Sequence, residues 1–171
     1  MPSLSSALPP LVAEFIAHLG TQRTASRALD LWCRARFPDE GDLPVRVRVL
    51  SDRPLAPAEA RRCSFVATDP EEELRYRRVE IRRGARLLSC ASNLYLPGRL
   101  PAGAAAELRG GERPFGLILE DRGPVRRILG LRARQGAFAL TLDAEMALGA
   151  AAPVAVLRES YAATLFAPAG G

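Results

Sequence analysis

Two stretches of the chain place charged side chains inside otherwise apolar, strand-like sequence, and these side chains are the candidates for chemistry. The first extends from Arg75 to Pro97 and reads RYRRVEIRRGARLLSCASNLYLP. The second lies near the C-terminus and reads VAVLRESYAATLF, with Glu159 in its middle. A buried guanidinium needs an anionic partner, and a carboxyl group in apolar surroundings is a candidate acid or base. These residue types are suited to an anion-binding site with a proton-transfer group.

The arginine-rich stretch contains two candidates that must face opposite ways. Side chains alternate along a strand, so Arg77 shares a face with Val79 and Ile81. Arg78 shares the other face with Glu80. An inward arginine needs an anion, because desolvating an unpaired charge costs several kcal/mol or more. The alternative is a solvated basic strand face with one internal ion pair.

A similar choice applies to the acidic residue of the last strand. Adjacent strand residues cannot both point outward, so either Arg158 or Glu159 faces the helix-covered side. If Glu159 is the inward residue, burial raises its pKa and an adjacent guanidinium lowers it again, as expected of a site acid or base. The alternative is a cross-strand ion pair between Glu159 and an arginine of the Arg75–Pro97 hairpin, which would hold the sheet together.

The composition indicates a single globular domain covering residues 1–171. Of the 171 residues, 48% are hydrophobic and 25% are charged. The formal charge is +5, but every basic residue is arginine, which is typical of a GC-rich genome rather than of selection for phosphate contacts. The sequence has no recognition-helix motif, zinc-ligand spacing or aromatic RNA-binding pattern, so no nucleic-acid partner is expected. The single histidine, His18, excludes a histidine-rich metal site, and no metal is expected.

The sequence predicts a cytoplasmic protein without a membrane partner. No apolar run approaches the roughly 20 residues of a membrane span. The N-terminus lacks a basic segment and carries Glu14 in its apolar part, unlike a secretory signal. Three cysteines, Cys33, Cys63 and Cys90, are widely spaced and odd in number, which suits reduced thiols.

The order of the predicted elements indicates an α+β fold. Apolar spacing and Gly/Pro punctuation predict two N-terminal helices, a strand, a hairpin turning at Gly84, short helices and further strands. The predicted ranges are Pro10–Leu19, a helix after the N-cap Thr24, Val45–Leu50, one or two helical turns at Ala58–Cys63, Tyr76–Arg82, Leu87–Leu96, short helices after Pro101 and Pro114, Val125–Arg134, Phe138–Leu142 and Pro153–Phe166. No βαβα alternation occurs, so we expect an antiparallel sheet with helices on one face.

The order and spacing of several motifs resemble the chorismate lyase (chorismate pyruvate-lyase) family over most of the chain. An Arg-x-Val-x-Ile strand at Arg77 leads to a Gly turn and a second strand that ends at Pro97. A Pro-Phe-Gly-x-x-Leu block follows at Pro114–Leu119, where the family has Pro-Leu-Gly. An arginine soon after this block, Arg126 or Arg127, also matches.

Two further matches lie near the ends of the chain. The apolar last strand carries Glu159, and the Thr-Ala-Ser-Arg start of helix two, Thr24–Arg27, is similar to a Ser/Thr-rich segment beside the family's ligand. The resemblance implies a six-stranded antiparallel sheet with helices on one side, enclosing an aromatic ligand in an internal cavity under helical flaps. It implies a carbon–oxygen lyase that uses neither metal nor cofactor.

The implied reaction splits chorismate into 4-hydroxybenzoate and pyruvate, as in the biosynthesis of aromatic precursors such as those of quinones. The implied partners are this substrate and its aromatic product, bound by a monomer or weak dimer. Carried over by position, the implied ligand arginine is Arg77 or Arg78, and the implied apolar contact is Phe115. The implied carboxylate is Glu159, and the implied contact at the start of helix two is Ala25.

The resemblance leaves the choice between the two arginines open. Alternation with apolar residues favours Arg77, whereas counting back from the end of the second strand favours Arg78. In these roles a guanidinium would hold a substrate carboxylate through two bonds, and Glu159 would protonate the leaving ether oxygen.

The chain departs from the family pattern in three places. Ala25 stands where the family usually has a large apolar residue, and Phe115 is larger than the usual leucine. The segment before the last strand lacks the family's arginine. A related ligand or an inactive catalyst would fit these departures.

An alternative function comes from another class of protein. The effector-sensing UTRA domain of GntR-type regulators has a similar arginine strand, Gly turn and following proline. Such domains follow a winged-helix DNA-binding region, for which we expect no room in this chain. A non-catalytic domain that binds an aromatic acid is the third interpretation, favoured if Glu159 faces solvent.

Overall fold

An antiparallel sheet is the framework of the protein. In the computed structural model, which describes residues 8–60 and 72–167, six strands pair antiparallel in the order β1-β2-β3-β6-β5-β4. The strands are β1 (Val45–Pro54), β2 (Arg75–Arg83), β3 (Arg86–Tyr95), β4 (Pro124–Ala133), β5 (Phe138–Leu148) and β6 (Pro153–Ala162). The strands that carry the candidate arginines and Glu159, β2 and β6, are therefore separated by β3 alone.

The two longest helices cover one face of this sheet. The helices are α1 (Pro10–Thr21), α2 (Ala25–Arg36), α3 (Pro57–Ala60), α4 (Ala104–Gly110) and α5 (Phe115–Ile118), with short 3-10 turns at Pro38–Glu40, Pro97–Arg99, Glu120–Arg122 and Ala163–Phe166. Phe15 of α1 makes edge-to-face contacts with Trp32 of α2 and Tyr161 of β6, at centroid distances of 5.1 and 4.9 Å. No helix in the described ranges is long and apolar enough to cross a lipid bilayer.

The predicted α+β class with a six-stranded antiparallel sheet is confirmed. The two long helices lie on one face as expected, whereas the single turn α3 packs on the other face beside Leu94 and Val156. The β2–β3 hairpin turns at Gly84, whose φ of 54° lies in the left-handed region that favours glycine. Val79 and Ile81 are buried on the helix side of β2. The predicted alternation of side chains along this strand therefore holds.

The start of α2 is fixed by Thr24, as predicted. Its hydroxyl accepts a hydrogen bond from the Arg27 amide at 3.2 Å, which satisfies one of the free N–H groups at the helix N-terminus. Thr24 is fully buried. The cap therefore holds Ala25 and Ser26 in place above the sheet.

The strand β5 is longer than the sequence predicts. The expected strand covers Phe138–Leu142, and the small residues after it show no clear pattern, whereas β5 continues to Leu148. Ala144 and Met146 are buried in the core, and the acidic residues beside them pair with arginines of β4 and β6. Alanine gives a weak apolar signal, so the alternation could not be recognised from the sequence.

Two smaller predictions also differ. The last strand ends at Ala162 and is followed by a 3-10 turn, rather than continuing to Phe166. The helical turns predicted at Ala58–Cys63 appear as α3, and their remainder lies outside the described residues, as does the thiol of Cys63.

Gly116 allows α5 to lie against the start of α2. A β-carbon at this position would lie 2.6 Å from the Thr24 β-carbon, which is closer than side chains approach. We expect Gly116→Ala to lower the free energy of unfolding by about 1–3 kcal/mol, because α5 must move. The matched control is Gly20→Ala in α1, where no atom lies within 4 Å. The control should be neutral or stabilise by up to about 1 kcal/mol.

Urea unfolding of both variants measures these free energies. Equal effects of the two substitutions would contradict the close packing of α5 on α2.

Candidate functional site

A small cavity lies between the helix-covered face of the sheet and the first turns of α2 and α5. Its volume is about 20 Å³, room for about one water molecule. Its walls come from β1, β2, β3, β5 and β6 as well as from the two helices. Most of the walls are apolar, and the polar side chains in them are Ser26, Arg77, Asn93 and Glu159.

The cavity brings together four of the five residues that the sequence singles out. Ala25, Arg77, Phe115 and Glu159 all line it. Arg78 does not, because it is exposed on the opposite face of β2. The choice of Arg78 as a substrate-binding or catalytic residue of this cavity is therefore corrected: adjacent strand residues point to opposite faces, so Arg78 cannot reach the cavity.

Arg77 is a fully buried guanidinium with free donors. Its exposed fraction is 0%, and its Nε donates a hydrogen bond to the Leu108 carbonyl of α4 at 3.2 Å. Its two terminal nitrogens, Nη1 and Nη2, are buried and have no hydrogen-bond partner among the described residues. Each buried donor without a partner costs roughly 1–3 kcal/mol. The arrangement therefore suits a ligand that supplies two acceptor oxygens.

A second buried arginine in the same strand shows how a purely structural guanidinium is satisfied. Arg83 is 1% exposed, and all three of its nitrogens donate to backbone carbonyls. These carbonyls belong to the end of α2 and the segment after it, at Cys33, Phe37, Gly41 and Leu43. Arg83 therefore ties α2 to the hairpin. The two free nitrogens of Arg77 are a property of that site and not of burial alone.

A polar cluster behind Arg77 compensates part of its charge. The Asp52 carboxylate lies 3.7 Å from the Arg77 Nε and accepts hydrogen bonds from Arg75 at 2.8 Å and from the Tyr95 hydroxyl at 3.0 Å. Burial lowers the pKa of Arg77, and the charge of Asp52 opposes this effect. Burial and Asp52 also raise the pKa of Tyr95 to about 12, so this hydroxyl remains a donor. Asp52 thus compensates the charge of the guanidinium from its Nε side.

Glu159 is the acid of the cavity. It is 6% exposed, and one of its oxygens accepts a hydrogen bond from the Tyr161 hydroxyl at 2.6 Å. Burial raises the pKa of Glu159, while Tyr161 and the charge of Arg126 act in the opposite direction. The carboxyl group is therefore held closer to its protonated form than an exposed glutamate, which is the state needed to donate a proton.

The arginine and the acid approach the cavity from different strands. Arg77 pairs with Asn93 of β3, which pairs with Leu157 of β6, two residues before Glu159. From the spacing of strands and residues, the α-carbons of Arg77 and Glu159 are roughly 12 Å apart. Their long side chains converge on one cavity from this distance, with apolar wall between them. The arrangement places a cation and an acid on different strands around one largely apolar cavity.

The cavity must widen to accept anything larger than water. Phe115 and Gly116 at the start of α5 form its roof, and the nearby α4 is tied to Arg77 through the Leu108 carbonyl. A ligand with a six-membered ring therefore requires α5 to shift or Phe115 to change rotamer.

A larger groove lies on the opposite, open face of the sheet. Its volume is about 460 Å³, and its floor includes Leu94 and Val156. Its two arginines are paired: Arg53 with Glu59, and Arg158 with Asp143. The charges of both arginines in this groove are therefore compensated by neighbouring carboxylates.

The sequence did not identify two contributors to the site. Tyr161 lies two residues after Glu159 on the same strand, so strand alternation would have placed both on one face. Asp52 could not be found in this way, because β1 was expected to end at Leu50 and its register shifts between Val49 and Ser51.

Comparisons with known proteins establish the fold and leave the activity open. No protein-family model and no curated protein matches the chain. The effector domain of PhnF from Mycobacterium smegmatis is similar, with a TM-score of 0.51 and 11% identity over 80% of this chain and 90% of that domain. The longer PhnF structure gives a TM-score of 0.53 and 11% identity over 82% of this chain and 64% of that one.

A third similar structure is the ligand-binding domain of a GntR-family transcriptional regulator from Bordetella bronchiseptica. It gives a TM-score of 0.46 and 19% identity over 70% of this chain and 83% of that domain. The likeness to PhnF shows that the chain has the fold of that effector domain, as the resemblance to effector-sensing domains implies. Membership of the chorismate lyase family stays a prediction.

The raised pKa of Glu159 makes stability depend on pH. A buried carboxyl with a raised pKa binds more protons in the folded state, so the free energy of unfolding should fall as pH rises from about 4.3 through the folded-state pKa. Glu159→Gln removes this proton uptake and should flatten the fall. Urea unfolding at a series of pH values measures it.

The control for this series is Glu112→Gln, whose side chain is 67% exposed and which should follow the wild-type profile. A Glu159→Gln profile parallel to that of wild type would show that Glu159 is not held protonated.

Proposed function

We propose that the cavity binds a small aromatic carboxylate, with Arg77 as the residue that holds the carboxylate. The observation that carries this proposal is that Arg77 lines the cavity and that its two terminal nitrogens are buried without hydrogen-bond partners among the described residues. A planar guanidinium with two adjacent N–H donors matches the two oxygens of a carboxylate. The apolar walls, including Phe115 and Ile81, suit a flat ring.

The reaction that this geometry supports best is the elimination of pyruvate from chorismate to give 4-hydroxybenzoate. The bond between the ring and the ether oxygen breaks, the ring loses a proton and becomes aromatic, and the leaving enolpyruvate is protonated and becomes pyruvate. One proton is lost and one is gained, so the reaction balances without an oxidant or reductant. Formation of the aromatic ring supplies driving force, so holding and protonating the substrate is the main task of the protein.

Glu159 is the proposed acid for this step. It faces the cavity that Arg77 also lines, and burial raises its pKa, which favours the protonated form that donates to the leaving oxygen. The Tyr161 hydroxyl donates to one carboxyl oxygen and so fixes the orientation of the group. Tyr161 acts through Glu159 and is a positioning residue in this proposal.

A second candidate function is binding of the same class of ligand without turnover, as a sensing domain. It is supported by the likeness to the effector domain of PhnF, which extends over 80% of this chain and 90% of that domain. In this case Glu159 would donate a hydrogen bond to a hydroxyl or ether group of the ligand. Both candidates share the carboxylate at Arg77 and differ in whether the carbon–oxygen bond breaks.

Incubation of the purified protein with chorismate separates the two candidates. We expect equal amounts of 4-hydroxybenzoate and pyruvate. Chromatography measures the first product and a coupled enzyme assay measures the second. Glu159→Gln should lower the rate by about 10²–10⁴-fold, the usual contribution of a general acid, and should retain the fold. The exposed Arg78→Ala variant is the control and should react like wild type.

The outcomes are distinct. Binding of 4-hydroxybenzoate without formation of pyruvate would favour the sensing function over the lyase. A rate unchanged in Glu159→Gln would remove Glu159 as the acid. Absence of both binding and turnover would overturn the proposed function.

A further inference from the structure

A second arginine on the helix-covered face has a free donor near the cavity. Arg126 of β4 pairs with Met146 of β5, which lines the cavity. Its Nη2 donates to the Leu19 carbonyl at the end of α1. Its Nη1 is buried and has no hydrogen-bond partner among the described residues. Like the two terminal nitrogens of Arg77, this nitrogen is a buried donor without a partner in the described part of the chain.

Neighbouring arginines of β4 and β6 form ion pairs with acidic residues on the open face of the sheet. Arg127 pairs with Glu145, and Arg132 and Arg158 both pair with Asp143. Within the described ranges, Arg126 forms no ion pair with a carboxylate. The charge of Arg126 acts on Glu159, which lines the cavity, and lowers the pKa of that acid. Arg126 is therefore a cation turned toward the side of the sheet that holds the proposed site.

The two arginines lie on opposite sides of Glu159. In the strand order, Arg77 is on the second strand, Glu159 on the fourth and Arg126 on the sixth. The α-carbons of Arg77 and Arg126 are therefore separated by four strand spacings, roughly 19 Å, which the two long side chains shorten from both ends. A ligand that reaches both cations must carry two separated anionic groups and must cross β6, the strand that carries Glu159.

We propose that Arg126 binds a second carboxylate of the ligand held by Arg77, so that the site prefers aromatic or cyclic dicarboxylates to monocarboxylates. This inference rests on the proposed function and specifies its ligand class. In chorismate, the ring carboxylate would lie at Arg77 and the enolpyruvyl carboxylate at Arg126, with the ether oxygen between them beside Glu159. The product 4-hydroxybenzoate has lost the second carboxylate. It therefore makes no contact with Arg126 and dissociates more readily than the substrate.

The second carboxylate would also affect the acid. The charge of Arg126 favours the ionised form of Glu159 and so opposes the effect of burial. A carboxylate bound to Arg126 compensates that charge and so favours the protonated form of Glu159. A dicarboxylate therefore prepares the acid that acts on it, which a monocarboxylate does not.

Two unreactive aromatic ethers test the proposal by calorimetric titration. They are 3-(1-carboxyethoxy)benzoate, with two carboxylates, and 3-ethoxybenzoate, with one; both carry the ether meta to the ring carboxylate, as chorismate does. We expect wild type to bind the dicarboxylate at least about tenfold more tightly, and Arg126→Gln to abolish this preference while the affinity for the monocarboxylate stays within about twofold. The matched control is Arg127→Gln on the neighbouring residue, which is 68% exposed and should keep the preference.

A conservative variant separates recognition from a structural role at the Leu19 contact. Arg126→Lys keeps the charge and should retain most of the preference for the dicarboxylate, provided that both variants unfold cooperatively in urea. Equal weakening of both ligands in Arg126→Gln, or an unchanged preference, would overturn the inference while the monocarboxylate still binds. Failure of wild type to bind either ether would instead remove the proposed function itself.

Discussion

The burial of the Arg77 guanidinium is the constraint on which the organisation of this site depends. A charge in an apolar interior is tolerated only with compensation, and Asp52 supplies part of it from the Nε side at 3.7 Å. Asp52 is in turn shared with Arg75 and Tyr95, so its negative charge is already divided. Two donors of Arg77 remain without partners among the described residues, and an anionic ligand would satisfy both.

Burial of the Glu159 carboxyl group also costs free energy, because its ionised form loses contact with water. Burial of Glu159 disfavours its ionised form, and the single strong hydrogen bond from Tyr161 relieves this only in part. A core built for stability alone would place an apolar residue here, since replacing buried polar groups by well-packed apolar ones is often neutral or stabilising. The terminal nitrogens of Arg77 thus lack hydrogen-bond partners among the described residues, whereas all three nitrogens of Arg83 in the same strand donate to carbonyls.

Much of this arrangement follows from local sequence rules, and the rest does not. Alternation along β2 predicted that Arg77 joins Val79 and Ile81, and the N-cap at Thr24 predicted where α2 begins. These are properties of a few adjacent residues. The compensation by Asp52 depends on a register shift in β1 and on pairing across two strands, which no local pattern encodes.

The size of the cavity also could not be predicted from the sequence. Its volume depends on how Phe115 packs once Gly116 lets α5 approach α2, and that is a matter of tertiary contact. The length of β5 was missed for a different reason, because small alanines carry little apolar signal. The fold of effector domains could be expected from the order of strands and turns, and the likeness in fold to PhnF agrees with it.

The most direct test of the account is calorimetric titration of 4-hydroxybenzoate into wild type, Arg77→Gln and Arg78→Gln. The two variants remove adjacent guanidinium groups, one facing the cavity and one facing solvent. The account predicts that Arg78→Gln binds like wild type and that Arg77→Gln loses about 30-fold or more, as expected when a buried charge-assisted contact is removed. Equal affinities of the two variants would contradict it.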